Sequence, residues 1–442
     1  MPPLFLHSAF SVLILITGGE ISVLLIKSGR LYSSLESLTD ILIDDGRVVS
    51  ICENIPESGD MTVIDAAGLV VAPGLVDMHV HFRDPGFEYK EDILTGASAA
   101  AAGGVTTCCC MPNTSPVADS ANIIKDIIKK AEKASVTVLP YGAVTIGQEG
   151  RELTDFAALK AAGAIALSDD GNPVQNARLM HIAMQSAREH KLPIISHCED
   201  ADLVKNFAVN EGKVSWELML PGRPAVAEEI MIARDAMLAS GTGARIHIAH
   251  VSTARSVDII RKAKAAGVKI TAETCPQYFT LTEDEVLKQG ALARVNPPLR
   301  TKADVEAIID GLIDETIDVI ATDHAPHSIE EKALPLTDAP SGMIGLETSL
   351  ALTLTYLYHT EHLELERIIS LMSANPARIL GIDAGCLAEG AMADIVIFDP
   401  DEEWTVKPEK FKSKARNTPF AGMKLRGRVK YTISHGEIVY QS

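Results

Sequence analysis

Two histidines separated by one residue, His79 and His81, end an apolar run and could chelate a metal ion. Alternation along a β-strand would place both imidazoles on one face, within reach of the same ion. Four further nitrogen or oxygen ligands end other apolar runs: Asp170, His197, His250 and Asp323. A lone histidine is usually structural, but ligands at five run ends predict a metal centre. Imidazole with carboxylate suits Zn²⁺, with Mn²⁺, Co²⁺ or Fe²⁺ as alternatives.

The runs that carry these ligands belong to a set of eight: 74–82, 105–112, 136–144, 164–170, 192–199, 245–251, 269–275 and 319–326. Between them lie Ala-rich segments with apolar residues three and four positions apart, which predicts helices. Strands that alternate with helices predict a parallel sheet, and eight such strands close a barrel. The predicted fold class is therefore α/β, a (β/α)8 TIM barrel with its active site at the C-terminal strand ends.

Sequence typical of β-strands flanks the barrel on both sides. Short apolar runs separated by Gly and Asp-Gly turns occupy residues 21–73, and similar runs return in 376–442. Together they predict one small β-sandwich module built from both chain ends, with the barrel of residues 74–375 inserted into it.

Residues 1–20 are predicted to be an extension outside the fold. This segment is apolar, but it lacks the basic residues that a signal peptide requires near its start. No Lys or Arg occurs before Lys27. Its apolar run is also shorter than the ~20 residues that a membrane span needs. A membrane-targeting segment is the alternative interpretation.

The composition indicates which partners and which cellular compartment to expect. The 40 Lys and Arg residues against 59 Asp and Glu give a net charge of -19, which would repel nucleic acid and anionic lipid. We therefore expect a small-molecule partner, with no nucleic acid and no membrane. The seven cysteines include the consecutive residues Cys108, Cys109 and Cys110, which makes a disulfide framework difficult. This pattern predicts a reducing, cytoplasmic location.

The remaining histidines are interpreted as structural. His181 and His190 fall in a helical segment, His247 has the opposite strand parity to His250, and alternation turns His324 away from Asp323. Surface positions are expected for His359, His362 and His435. Cys198 is expected to face the helix layer, and the cysteine triplet to pack as small apolar residues.

The density of motifs is high enough to indicate a family. The stretch DMHVHFRDPGFEYKEDILTGASAAAAGGVTTCCCMPNTSPV is followed in order by SDDGNPVQ, ISHCED, HIAHVST, AETCPQYFTLTE, RVNPPLR, ATDHAPH, GLET and NTPFAGMKLRGRV. From about Ile21 to the C-terminus, this pattern resembles the class I dihydroorotases of the amidohydrolase superfamily.

The resemblance implies a set of metal ligands. His79, His81 and Asp323 would bind one metal, His197 and His250 a second, and Asp170 would bridge the two, so that one or two Zn²⁺ ions are expected per subunit. Many superfamily members use a carboxylated lysine as the bridge, but this fourth strand has none, and Lys160 lies ten residues before Asp170. Asp169 is the weaker candidate for the bridge.

The resemblance also implies the substrate contacts. The matching positions are His81, Arg83, Asn113, Asn296, His327, Ser341 and Gly342. Arg83 offers a fork of donors to a substrate carboxylate, and the two asparagines could recognise amide and carboxylate edges. Ser341 and Gly342 stand where family members often have Phe-Gly, and they would act through the backbone. Asp323 would be the catalytic proton carrier.

The implied activity is the reversible, zinc-dependent hydrolysis of (S)-dihydroorotate to N-carbamoyl-L-aspartate, the third step of de novo pyrimidine biosynthesis. A homodimer and association with aspartate carbamoyltransferase are the implied assemblies. Two alternatives remain: a hydantoinase or allantoinase, and an inactive dihydroorotase-like scaffold for that carbamoyltransferase. The absent lysine and the presence of Arg83 argue against the first. The six filled ligand positions argue against the second.

Overall fold

The computed structural model describes residues 23–59, 61–205 and 207–442. The predicted N-terminal extension lies outside the described residues. The strands in chain order are β1 Val23–Leu31, β2 Ser34–Asp44, β3 Arg47–Cys52, β4 Met61–Asp65, β5 Val70–Pro73, β6 Leu75–Val80, β7 Val105–Cys110, β8 Thr137–Pro140, β9 Leu167–Ser168, β10 Ile194–Ser196, β11 Val209–Asn210, β12 Gly222–Arg223, β13 Ile246–Ile248, β14 Ile270–Thr274, β15 Val319–Ile320, β16 Ile395–Thr405, β17 Lys424–Ser434 and β18 Glu437–Gln441.

Eight parallel strands form a closed barrel. Strands β6, β7 and β8 pair in one group, and β9, β10, β13, β14 and β15 pair in another. Parallel bridges between Gly142 and Leu167, and between Val80 and His324, join the two groups into a ring. Each of the eight apolar runs supplies one strand, so the predicted barrel is confirmed.

Helices surround the barrel, and several of them begin at a side-chain cap. The α-helices are α1 Ile93–Ala102, α2 Ala121–Ala131, α3 Phe156–Ala162, α4 Ala177–Glu189, α5 Ala201–Val204, α6 Lys213–Glu217, α7 Val226–Thr242, α8 Ala254–Ala265, α9 Pro276–Thr280, α10 Glu285–Gln289, α11 Lys302–Ile313, α12 Ile329–Lys332, α13 Ser349–Thr353, α14 Leu365–Ile369 and α15 Asn375–Leu380. Asp92 caps α1 and Thr301 caps α11, each in a reciprocal capping box. Within the described ranges, no helix has both the length and the apolarity to cross a bilayer.

Alternation along the strands divides the core into two layers. Cys108 and Cys110 pack in the large cluster with the helices, whereas Cys109 joins a second cluster with Tyr141 and Ile195. Ile379 and Leu380 of α15 belong to the same second cluster. The cysteine triplet is buried and forms no disulfide, as expected of small apolar residues in a strand.

Both chain ends build the small module. Its strands follow the order β18, β17, β16, β5, β1, β2, β3 in one hydrogen-bonded sheet, with β4 also paired to β1. Ile26, Ile43 and Ile64 from the first part pack with Ile395 and Ile433 from the second. The two parts therefore share one core, and the loop between β16 and β17 extends from this module.

Candidate metal and active site

Asp170 lies at the centre of four histidines at the C-terminal mouth of the barrel. Its Oδ1 atom is 3.5 Å from Nε2 of His79, 3.4 Å from Nδ1 of His197 and 3.4 Å from Nε2 of His250. Its Oδ2 atom is 3.4 Å from Nε2 of His81. The ligand atoms form two groups that share Asp170: His79 with His81, and His197 with His250.

Asp323 completes the first group. Its Oδ1 atom lies 3.0 Å from Nε2 of His81 and 3.5 Å from Nε2 of His79. Asp323 and His250 both have a left-handed backbone, with φ of 49° and 35°. Such conformations are uncommon for residues other than glycine and are concentrated at functional sites. The six predicted ligand residues are thus brought together.

The unpartnered polar atoms of this cluster could coordinate a cation. Nε2 of His79 and Oδ1 of Asp170 are buried without a hydrogen-bond partner. Nδ1 of His197 and Nε2 of His250 are 2.7 Å apart, within hydrogen-bonding distance, so both rings turn these nitrogens toward each other beside Asp170. Buried imidazole and carboxylate atoms that converge in this way are the donor set of a divalent transition metal.

The electrostatics of the cluster also favour a bound cation. Burial alone would lower the pKa of His79, but the carboxylates of Glu273, Asp170 and Asp323 raise it well above its ordinary value. Burial likewise opposes protonation of His197, yet Asp170 and Glu199 raise its pKa to about 10. The negative charges around the rings therefore stabilise positive charge at this position.

Three of the rings are held from behind by polar side chains. Nδ1 of His79 donates to Oε1 of Glu273, whose Oε2 atom is 3.2 Å from Nε2 of His247. Nδ1 of His81 donates to Oδ1 of Asn113 over 2.9 Å. These partners fix which nitrogen of each ring faces Asp170.

The third ring, His197, is approached by Glu199, whose Oε2 atom lies 3.6 Å from Nε2 of the ring. Asn296 donates from Nδ2 to the same carboxylate oxygen over 3.2 Å. Arg223 donates from Nη1 to both Glu199 and Asn296. Asn296 also lies directly beside His197, with its Nδ2 atom 3.3 Å from Nε2 of the ring, and Glu199 and Arg223 hold it there.

The other predicted substrate residues form a second group beside the predicted metal ligands. Nε2 of His327 donates to the Ser341 carbonyl over 2.9 Å, and Nη2 of Arg83 lies 3.4 Å from that nitrogen. Gly342 has φ of 135°, and a Cβ there would approach Cβ of Ala325 to 2.8 Å. Because only glycine fits, the backbone of this loop can come close to the mouth.

Asp169 does not face the cluster. Its carboxylate accepts hydrogen bonds from the main-chain nitrogens of Val144 and Thr145, at 2.8 and 3.2 Å, and from the Thr145 hydroxyl. His324 also turns away, since its Nδ1 atom accepts from the main-chain nitrogens of Gly345 and Leu346. Neighbouring side chains at the strand ends thus take separate roles.

Strand parity was misleading for one histidine. His247, set aside because its parity is opposite to that of His250, also points into the barrel, where it contacts Glu273. Both face inward because the left-handed backbone of His250 reverses the alternation at that residue. His359 and His435, expected at the surface, are half-buried and hydrogen-bond to the Pro400 carbonyl and the Thr137 hydroxyl.

Sequence reasoning missed Glu273, Glu199 and Arg223. All three are charged side chains that are buried or half-buried. Glu199 lies in the motif that carries His197, Glu273 lies in the motif AETCPQYFTLTE, and Arg223 lies in the segment between them. Glu273 in particular lies in a predicted strand, where a carboxylate is rare unless it has a partner. A carboxylate at this strand position could therefore have identified Glu273 as a functional candidate.

A closed barrel with buried histidines and aspartates at its C-terminal mouth is the arrangement of a metal-dependent hydrolase, and the comparisons agree with this class. Residues 175–440 match the model of the Amidohydrolase family, and residues 68–256 match the Dihydro-orotase-like model. Members of this family are generally metal-dependent, and the clustered histidines and aspartates here could bind a metal.

The chain belongs, within that class, to the dihydroorotase family. It is 52% identical over 417 residues to the dihydroorotase of Ruminiclostridium cellulolyticum, covering 93% of this chain and 97% of that protein. It is 50% identical over 423 residues to the dihydroorotase of Citrifermentans bemidjiense, covering 95% and 100%.

Solved structures share the fold. L-Hydantoinase (dihydropyrimidinase) from Arthrobacter aurescens superposes with a TM-score of 0.84 at 25% identity, covering 95% of this chain and 96% of that one. A D-hydantoinase structure also gives a TM-score of 0.84, at 24% identity, with 95% of each chain covered. The second likeness supports the barrel architecture alone.

Proposed function

We propose that this chain is a class I dihydroorotase that reversibly hydrolyses (S)-dihydroorotate to N-carbamoyl-L-aspartate, the third step of de novo pyrimidine biosynthesis. The observation that carries the proposal is the position of Asp170, within 3.5 Å of four histidines at the barrel mouth. Relatives named dihydroorotase are about 50% identical over nearly the whole chain. The compartment we propose is the reducing cytoplasm, which suits the seven free cysteines.

The cluster would hold one or two Zn²⁺ ions. His79, His81 and Asp323 would bind the first, His197 and His250 the second, and Asp170 would bridge them. When bound, zinc acidifies a water molecule and polarises the amide carbonyl. Glu273 and Asn113 orient two of the rings for this task by accepting their Nδ1 protons.

Arg83 and its neighbours would hold the substrate. The Arg83 guanidinium is the counter-charge for the ring carboxylate, and its Nε donates to the Pro326 carbonyl over 3.3 Å, which fixes the direction of the fork. His81, Asn113 and Asn296 would contribute further polar contacts. His327, Ser341 and Gly342 would line the other side, with the last two acting through the backbone.

Asp323 would move the proton. During hydrolysis the C–N bond of the ring amide breaks and a C–O bond forms, while Asp323 accepts the proton of the attacking water and delivers it to the leaving nitrogen. His327 is a poor alternative, because burial and the nearby Arg83 lower its pKa to about 2. In cyclisation the same steps run backwards.

The hydantoinase or allantoinase reading requires a different bridge. Lys160 cannot serve as a carboxylated bridging lysine, because its Nζ donates to the His190 carbonyl on the outside of the barrel. Asp170 occupies the bridging position instead. The inactive-scaffold reading is opposed by the six ligand residues, which are present and converge.

The test is an assay of purified protein, with metal quantified, on dihydroorotate, hydantoin and allantoin. We expect turnover of dihydroorotate, with ring closure favoured at acidic pH because hydrolysis releases a proton. Activity should disappear on chelation and return with Zn²⁺, and parallel re-addition of Mn²⁺ tests the choice of metal. Turnover of hydantoin or allantoin instead would overturn the proposal.

For quaternary structure we propose a homodimer. Trp216 and Met219 are 81% and 91% exposed, and both residue types are enriched at protein interfaces. Light scattering of the protein alone measures the mass. The same measurement with added aspartate carbamoyltransferase tests the larger assembly.

A further inference from the structure

A loop of the β module reaches the mouth of the barrel. It joins β16 to β17 and carries Asn417, whose side chain is 3% exposed. Although Asn417 lies 94 positions after Asp323 in the sequence (417 minus 323), it packs against the segment that follows that residue. The motif NTPFAGMKLRGRV, of which Asn417 is the first residue, therefore contributes to the barrel mouth.

The side chain of Asn417 makes three hydrogen bonds, all to main-chain atoms. Its Oδ1 atom accepts from the nitrogen of His327 over 3.1 Å. Its Nδ2 atom donates to the carbonyls of Ala325 and Gly342, each over 3.1 Å. Its own carbonyl accepts from the nitrogen of Ile344 over 3.0 Å. One residue thus clamps the segment after β15 to the segment that contains Gly342.

These two segments carry three of the proposed substrate contacts: His327, Ser341 and Gly342. The carbonyl of Ser341 accepts from His327, so the segments also meet at the substrate side. A shift of either segment would displace the His327 ring and the Gly342 backbone together. Asn417 is therefore placed to set the distance between them.

The loop itself is held rigidly, which lets Asn417 act as a fixed point. The carboxylate of Glu347 accepts from the nitrogens of Lys412 and Ser413, at 2.8 and 3.1 Å. Glu91 accepts from the nitrogen of Lys414 and from the hydroxyl of Ser413. Because both carboxylates belong to the barrel, the loop is anchored before the chain reaches Asn417.

We propose that Asn417 is a positioning residue for the substrate, so that the β module completes the active site. This inference rests on the proposed function, because the substrate used to test it is dihydroorotate. An asparagine is needed because the position requires one acceptor and two donors at once. Aspartate keeps the acceptor but turns a negative oxygen towards two carbonyls. Alanine leaves the His327 nitrogen and the Ala325 carbonyl without partners, and the Gly342 carbonyl keeps only the bond from Lys332.

The experiment compares steady-state kinetics, metal content and thermal stability in the metal-loaded wild type, Asn417→Ala, Asn417→Asp and Thr432→Val. Thr432 is the matched control, because its buried hydroxyl donates to the Ala101 carbonyl and so links the module to the barrel away from the mouth. We expect both Asn417 variants to raise KM for dihydroorotate roughly tenfold or more, as the loss of one or two hydrogen bonds would. Their kcat should change less than about threefold, because contacts made equally in ground and transition states affect KM.

Thr432→Val should lower the thermal stability while leaving KM unchanged. An unchanged KM in the Asn417 variants, or an equal rise in Thr432→Val, would overturn the inference. An inactive wild type would instead contradict the proposed function, so the two failures are distinguishable.

A measurement on the wild type alone covers the case in which neither Asn417 variant folds. Bound dihydroorotate should slow hydrogen exchange of the main-chain amide of Ile344, which donates to the Asn417 carbonyl. It should also slow exchange in the loop around Asn417 itself. Unchanged exchange in that loop at saturating substrate would overturn the inference.

Discussion

The carboxylate of Glu273 lies directly behind the ring of His79: it accepts the Nδ1 proton, while Nε2 on the opposite side of the ring faces Asp170 and Asp323 at 3.5 Å. Both side chains are fully buried. His247 supports the carboxylate from the other side, at 3.2 Å, and is itself 2.8 Å from the Thr271 hydroxyl. This chain of contacts fixes the ring of His79 with its Nε2 atom toward the carboxylates of Asp170 and Asp323.

Glu273→Gln is expected to weaken metal binding about 10–100-fold, the range found when a partner behind a metal-binding histidine is removed. The readout is the metal dissociation constant, measured by competition with a chelator. Asp235→Asn is the matched control, because Asp235 is an equally buried carboxylate that accepts from Ser196 and does not contact the cluster. Equal losses in both variants would show that Glu273 acts through general stability.

Asp170→Ala should abolish metal binding and activity together, because this one carboxylate lies within 3.5 Å of all four histidines and is the proposed bridge. Asp169→Ala should keep most of the metal but lose about 1–3 kcal/mol of stability, since it leaves the nitrogens of Val144 and Thr145 unpaired. Metal analysis and chemical denaturation separate the two effects. Comparable metal loss in both variants would refute the assignment of Asp170 as the bridge.

Asp323→Asn should retain much of the metal, because the other five ligand residues remain and an amide oxygen still coordinates weakly. The kcat should nevertheless fall ~10²–10⁴-fold in both reaction directions, since the amide cannot carry the proton. Metal content and turnover are measured on the same preparation. Near-normal kcat with full metal would mean that another group moves the proton.

Arg83→Lys should raise KM for dihydroorotate steeply, with a smaller effect on metal content. A lysine ammonium is a point charge and cannot offer the two parallel donors of a guanidinium to a carboxylate. Initial rates over a range of substrate concentrations give the answer. If KM is unchanged, the substrate carboxylate is bound elsewhere.

Lys332 should make stability depend on pH. Its Nζ atom donates to the carbonyls of Pro340 and Gly342, each over 2.9 Å, and burial lowers its pKa from 10.5 to about 7. Between these values the unfolded chain binds a proton that the folded chain does not. This group alone therefore makes the free energy of unfolding rise with pH, by at most about 5 kcal/mol across the window.

Lys332→Met removes that titration, so urea unfolding at pH 7, 8 and 9 should show a smaller increase in stability than the wild type shows. Lys213→Met serves as the control, because Lys213 is 71% exposed. Parallel pH profiles for the wild type and Lys332→Met would contradict the prediction.

The sequence by itself determined the barrel and predicted its six candidate metal ligands. Strand runs, helix periodicity and chain order are local properties, and a parallel barrel places every strand end at the same mouth. Once eight runs are recognised, residues such as His79, His197 and Asp323 must converge there. The same local reasoning predicted a module built from both chain ends.

Only the tertiary structure decided what surrounds those ligands. Glu273 reaches His79 across 194 positions of sequence, and Asn417 reaches His327 across 90. His250 faces the cluster because its backbone leaves the regular strand conformation, which no alternation pattern can show. Partners of this kind depend on distances between strands and loops that are far apart in the chain, and such distances are fixed only when the whole core packs.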